Sequence, residues 1–208
     1  MNLKRALAPF ALLSILLSGI VVAHSATAPS PLTIQVVDQR GMPVANAVVE
    51  IEVPLGYASP IAFGWRNAMA QHNLAFTPGT LIVAKGSQVA FPNLDSVRHS
   101  IYSFSKPARF QIDLYGRDKS RTHAFPIAGT VALGCNIHDQ MRGYIRVVDT
   151  PYAAKTDVNG LAQMPSVPHG NFQMVVWHPD ARLPGGELKA PLTVRGTGAT
   201  QRFVLPLR

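Results

Sequence analysis

A cysteine, a histidine and a methionine stand at three-residue spacing in Leu133-Gly134-Cys135-Asn136-Ile137-His138-Asp139-Gln140-Met141. A thiolate, an imidazole and a thioether so spaced meet at one point if the chain curls. Mixed sulfur and nitrogen donors suit copper, whereas magnesium and calcium want oxygen. A trigonal His₂Cys plane with a weak axial Met needs one more imidazole. His99 supplies a candidate, 36 residues before Cys135, in Phe91-Pro92-Asn93-Leu94-Asp95-Ser96-Val97-Arg98-His99. Singly, each residue has an ordinary explanation: Cys135 as a small buried hydrophobe, Met141 as core filler, either His as a satisfied core or surface residue. Together they point to a metal, because a lone thiol in an exported protein otherwise oxidises or cross-links. With all four positions filled by protein no place is left open for substrate, which argues against an oxidase.

These residues need a rigid frame, and the composition can build one. The chain has 208 residues, 47% of them hydrophobic and 14% charged, which excludes a disordered chain. Cys135 is the single cysteine, so an intrachain disulfide scaffold, a four-cysteine zinc site and a cysteine-ligated iron–sulfur cluster are excluded. Residues 1–26 read as a secretory signal peptide: Lys4 and Arg5, an apolar run from Ala6 to Ala23, then small residues to Ala26. An uncleaved anchor is the alternative, weakened by Pro9, Ser14, Ser18 and Gly19. Without Lys4 and Arg5, seventeen bases face eleven acids, a net charge of about +6.

Beyond residue 30 the pattern is that of strands. Val49, Ile51 and Val53 alternate with Val48, Glu50 and Glu52; Phe110, Ile112 and Leu114 alternate with Gln111 and Asp113. Val131, Leu133 and Cys135 share one face, and Phe172, Met174 and Val176 another. Asp38-Gln39-Arg40-Gly41, Thr77-Pro78-Gly79, Asn159-Gly160 and Pro168-His169-Gly170 signal turns. Many short strands with turns every ten residues or so predict an all-β sandwich or barrel. Cys135 then ends a strand, with His138 and Met141 in a tight loop after it. Residues 57–73 read as irregular, and 149–152 interrupt the strands again.

Residues 66–149 resemble a cupredoxin, the blue-copper Greek-key β-sandwich. Phe76-Thr77-Pro78, Leu81-Ile82-Val83, Lys85 to Phe91 and Asn93 match the strand–turn–strand before the first copper histidine, and C-x-x-H-x-x-M is similar to the amicyanin spacing. Phe91-Pro92-Asn93, Ser103-Phe104-Ser105, Leu114-Tyr115 and Leu133 to Asp139 resemble the bacterial methylamine utilization group of plastocyanin-like proteins. The resemblance implies His99, Cys135, His138 and Met141 as ligands of one type 1 copper ion. Ser100 stands where many cupredoxins carry the Asn that ties the two ligand loops together, and Ile137 where Pro is common; both bear on the potential rather than on ligation. The flanks, 31–56 and 150–208, resemble a carboxypeptidase regulatory-like β-sandwich, through Val36 to Val49, Thr156 to Gly160 and Pro168 to Phe172. This implies a second small sandwich, discontinuous in sequence, around an inserted copper domain; one enlarged sandwich is the alternative.

His72 and Met69 could approach the site, although surface or core roles suit them better. His123, His169 and His178 have no partner spacing, and Trp65 and Trp177 read as core aromatics. Lys106, Arg109, Arg117, Lys119 and Arg121 form a basic run that is either a solvated face or a landing patch for an acidic partner. No aromatic-interleaved basic motif suggests nucleic acid, and no later stretch suits stable membrane insertion. Two functions are compatible with this sequence. One is a periplasmic one-electron carrier, not an enzyme, between redox proteins such as a cytochrome or a dehydrogenase. The other is a non-redox binding module that stores or delivers copper.

Overall fold

The computed structural model describes residues 29–54, 61–196 and 200–208. The leader expected over 1–26 lies outside them. Strands β1 (Ser30–Val37) and β2 (Val48–Glu52) open the chain. β3 (Ala70–His72), β4 (Ala75–Thr77), β5 (Thr80–Ala84), β6 (Gln88–Pro92), β7 (His99–Ser105), β8 (Ala108–Tyr115), β9 (Ser120–Ala124), β10 (Gly129–Cys135) and β11 (His138–Val148) come next. β12 (Ala153–Lys155), β13 (Leu161–Val167), β14 (Gly170–Trp177), β15 (Glu187–Val194) and β16 (Thr200–Val204) complete it. Among the described residues the only helix is a 3-10 turn at Pro184–Gly186. The all-β class expected from the alternation is the one that forms.

Strands from the middle of the chain pair with one another, and so do strands from its two ends. The middle sheet runs β5-β11-β10-β7-β8, with the pairs β6-β9 and β3-β4 beside it. The core of this half includes Phe76, Val89, Phe91, Ile101, Phe125, Val131, Leu133, Cys135, Met141 and Ile145. The end strands make the sheets β13-β1-β16 and β12-β2-β14-β15. Ile34, Val36, Val49, Ile51, Met174 and Val176 fill the space between them.

A third cluster lies where the two sets of strands meet: Val48, Ile82, Val148, Ala153 and Trp177, with Phe63 and Tyr144 against it. It explains a departure from simple alternation. On β2, Val49 and Ile51 enter one core, but Val48 and Glu50 are buried as well, because that face packs on the middle sheet. β5 is used on both faces too, with Leu81 and Val83 inward and Ile82 in the shared cluster. Glu50 is buried beside Arg146 of β11, which hydrogen-bonds both its oxygens. Arg146 also donates to Glu187 of β15 at 2.7 Å and to Thr130 at 2.8 Å. Burial pushes the Glu50 carboxyl up against the lowering effect of Arg146, and Glu50 and Glu187 outweigh burial to hold the guanidinium above its ordinary range.

Three local expectations change. The stretch read as irregular over 57–73 contains β3, whose hairpin with β4 turns through Asn73 and Leu74, both at positive φ. Trp65 is 43% exposed, stacks on Phe63 with centroids 4.7 Å apart and donates its indole N–H to the Ile82 carbonyl at 2.8 Å, whereas Trp177 is buried as expected. On β8 the alternation breaks before its end. The β7–β8 register slips between Ile101↔Ile112 and His99↔Tyr115. One extra residue in β8 turns the last side chains of the strand over, so Leu114 is exposed and Tyr115 is buried.

Candidate metal centre

β7 begins at His99, β10 ends at Cys135 and β11 begins at His138, with only Asn136 and Ile137 between the last two strands. Three side chains therefore arrive at one end of the middle sandwich. Cys135 Sγ lies 3.8 Å from His99 Nδ1 and 3.7 Å from His138 Nδ1, and the two Nδ1 atoms are 3.1 Å apart. Cys135 and His99 are buried and His138 is half-buried. Met141 is not in a loop but on β11. The β10–β11 register jumps from Gly134↔Arg142 to Cys135↔His138, so Asp139, Gln140 and Met141 leave the ladder. Met141 is buried in the core cluster that also holds Cys135.

Gly134 is needed where it stands. A Cβ on it would come within 2.5 Å of the Tyr102 ring, which lies against its backbone from β7. A side chain here would push the Tyr102 ring off the strand beside Cys135.

The loops that carry these side chains are held from behind. Asn93 is fully buried; its side chain donates to the carbonyls of Val97 at 2.9 Å and Tyr115 at 3.0 Å and accepts the Asp95 N–H at 2.9 Å. This shapes the turn into His99. Ser100 accepts the Asn136 N–H on its hydroxyl at 3.2 Å, which ties the turn between Cys135 and His138 to the start of β7. Tyr115, re-aimed by the bulge, donates to Gln71 at 2.5 Å, and its hydroxyl is 2.9 Å from the Phe91 carbonyl. Burial raises its pKa, against the lowering effect of Gln71.

Asp95 was not singled out from the sequence, although its spacing four residues before His99 offered a signal. His99 Nε2 lies 2.8 Å from Asp95 Oδ2, so the ring is turned with Nδ1 toward Cys135 and His138. Burial acts to raise the Asp95 carboxyl, but the bond from His99 and the N–H groups of Leu74 and Asn73 hold it below the usual carboxylate range. Those two N–H groups, at 3.1 and 2.6 Å, belong to the β3–β4 turn, so the hairpin braces a histidine through one carboxylate.

A first-row metal bound ~2.0–2.1 Å from nitrogen and ~2.3 Å from sulfur keeps its donors ~3.3–3.8 Å apart in tetrahedral to trigonal geometry. The observed 3.1, 3.7 and 3.8 Å agree to a few tenths of an ångström. Two imidazole nitrogens and a thiol sulfur form a borderline-soft donor set suited to copper. Among the described residues this is the one cluster of three or more His, Cys, Asp or Glu side chains with metal-binding spacing. His72 is exposed and Met69 is core. His123 stacks on Phe110, with centroids 3.8 Å apart. His169 and His178 sit in the end-strand sandwich, hydrogen-bonded to Ser30 and to the Asp180 N–H.

No family model and no curated protein matches this chain. Among solved structures it is similar to the copper-containing nitrite reductase from Thermus scotoductus, at 26% identity and a TM-score of 0.40, over 47% of this chain and 28% of that one. It is also similar to a purple cupredoxin from Nitrosopumilus maritimus, at 20% identity and a TM-score of 0.36, over 39% of this chain and 98% of that one. For the Cu(I) form of an amicyanin variant the values are 22% and 0.38, over 50% and 99%. No helix among the described residues is long and apolar enough to cross a membrane.

Proposed function

We propose that this chain is an exported type 1 copper protein that carries single electrons between periplasmic redox proteins, and that its copper-binding middle is a cupredoxin domain inserted into the end-strand sandwich. The observation that carries the reading is the His99–Cys135–His138 cluster, with its donors already at metal-binding separations. A copper ion held there supplies one-electron exchange between Cu(I) and Cu(II). The chain's part is to hold donors that need not move. His99 is locked by Asp95, Cys135 ends a strand pinned by Gly134 and Tyr102, and His138 starts the next strand. Met141 is the fourth, weak donor. His138 is the half-exposed ligand beside the exposed Ile137, which makes its edge the exit for the electron. The leader over residues 1–26 delivers the protein to the periplasm, and a cytochrome or a dehydrogenase is the kind of partner this role requires.

Copper analysis with a visible spectrum tests the reading. The Cu(II)-loaded protein is expected to hold one copper per chain, to be intensely blue and to bleach reversibly with ascorbate. A colourless protein that binds copper only as Cu(I) would instead support storage or delivery.

Two variants probe the ligand set. Met141→Leu is expected to keep copper and colour while raising the reduction potential, since losing a weak donor disfavours Cu(II). A redox titration reads this, and complete loss of copper would make Met141 a primary ligand. Asp95→Asn keeps an acceptor for His99 but removes the charge. It is expected to weaken copper binding by about 10- to 100-fold in competition with a chelator. Unchanged affinity would reduce Asp95 to an anchor for the β3–β4 turn.

A further inference from the structure

The basic run read along the sequence does not form one patch. Lys106 lies in the β7–β8 turn, with Arg109 just beyond it, where Ser105 pairs with Ala108. The strand then runs to the other end of the sheet, where His99 pairs with Tyr115. Arg109 and Arg117 are thus eight residues of extended chain apart, on the order of 26 Å. Arg117 and Lys119 belong to the β8–β9 turn, and that turn is bonded to the ligand loop. The Asn93 N–H donates to the Lys119 carbonyl and the Asp118 N–H to the Asn93 carbonyl, both at 2.9 Å. Arg98, next to His99, joins them with its stem beside Gly116. Arg121 lies over the Tyr115 ring, 5.2 Å from its centroid.

Arg98, Arg117, Lys119 and Arg121 are all exposed. The exposed acids at this end are fewer than the four bases. Asp118 is 3.8 Å from the Arg117 guanidinium, Asp113 is exposed on β8 and Asp139 is exposed next to His138, while Asp95 is turned inward to His99 and the β3–β4 turn. Leu94 and Val97, 49% and 41% exposed, lie within the same loop and carry no charge. We infer that Arg98, Arg117, Lys119 and Arg121, around Leu94 and Val97, form a docking face for the acidic surface of a redox protein at the end of the sheet where His99 and His138 meet. This rests on the electron-carrier reading above. Charge complementarity argues for the occupant, since a local excess of bases steers an acidic partner and raises its on-rate. Lys106 and Arg109 are outside the face.

Hexacyanoferrate(III) serves as an anionic probe. It takes one electron from the ascorbate-reduced, copper-loaded protein and becomes hexacyanoferrate(II). Arg117→Glu/Lys119→Glu is expected to slow this about tenfold at low salt, with the difference shrinking as ionic strength rises and the Debye length shortens to about 8 Å. Arg40→Glu/Arg195→Glu, the same charge change on exposed residues of the end-strand sandwich, is expected to slow it less than about twofold, and Lys106→Glu/Arg109→Glu likewise. Equal slowing in all three variants would reduce the effect to net charge and overturn the docking face. A second measurement does not depend on copper. Hexacyanochromate(III), a paramagnetic anion of the same shape, is expected to broaden the NMR amide signals of 94–98 and 116–121 in the metal-free protein. Broadening centred on 105–109 would overturn the proposal even if the copper reading stands. A protein that binds no copper yet broadens at 94–98 and 116–121 would keep the anionic face while removing the carrier reading. Self-association, or binding to phosphatidylglycerol vesicles, lost in Arg117→Glu/Lys119→Glu without any change in hexacyanoferrate exchange would give the face to another occupant and overturn the inference.

Discussion

Replacing Cys135 by serine is expected to abolish the blue colour of the Cu(II)-loaded protein completely while the β-sandwich survives. The colour depends on charge transfer from a soft thiolate to the metal, and a hydroxyl is too hard a donor to provide it. The fold survives because the change is small and the side chain, although in the core cluster, faces two polar ring atoms. Serine is no larger than cysteine, and the buried position faces two imidazole Nδ1 atoms, 3.7 and 3.8 Å from the present sulfur. A hydroxyl can hydrogen-bond to either, so the cost of burying it stays near ~1–2 kcal/mol. Visible absorption, copper content and far-ultraviolet circular dichroism on one preparation check the result. A Cys135→Ser protein that remains blue would remove the thiol from the site and the type 1 reading with it.

The largest loss of stability is expected at the opposite end of β11. Arg146→Met should destabilise the protein by about 3–5 kcal/mol, since it leaves the Glu50 carboxylate buried with no cation. At ~2–4 °C per kcal/mol for a chain of this size, the midpoint of thermal unfolding should fall by roughly 6–20 °C. Burial of the side chains supports a value in this range rather than that of a surface pair: Arg146 is 6% exposed and Glu50 10%. The loss should largely disappear in Arg146→Met/Glu50→Leu, in which both charges are gone and the space between the sheets remains apolar. Denaturant unfolding of the three proteins without metal decides the matter. A single variant within about 1 kcal/mol of the parent would show that the pair is solvated in solution and does not hold the two sets of strands together.

Strand character, the turns and the grouping of Cys135 with His138 were legible along the chain because each depends on neighbours a few residues away. Alternation comes from a period of two, turns from Gly, Pro, Asn and Asp, and donor softness from residue type. His99 was within reach because a trigonal site calls for a second imidazole. What failed was whatever depends on the partner strand. The β8 bulge exposes Leu114 and buries Tyr115, and nothing in Phe110-Gln111-Ile112-Asp113-Leu114 announces it. Glu50 alternates like a solvent-facing residue and is buried, because Arg146, ninety-six positions later, packs over it.

The same division runs through the site. Residue type names the atoms available to a metal, among them the Cys135 thiol, the His99 and His138 imidazoles and the Met141 thioether, with no second thiol in the chain. Packing and register set the separations of His99, Cys135 and His138, the contact of Asp95 that fixes which nitrogen of His99 faces inward, and the bond from Asn136 to Ser100. They also divided the bases between Lys106 and Arg121 over two ends of a sheet and added Arg98 to the group beside the site. The physical reason is that donor chemistry is a property of a residue, whereas distance, burial and charge density are properties of pairs, and the pairs are made by strand register over tens of residues.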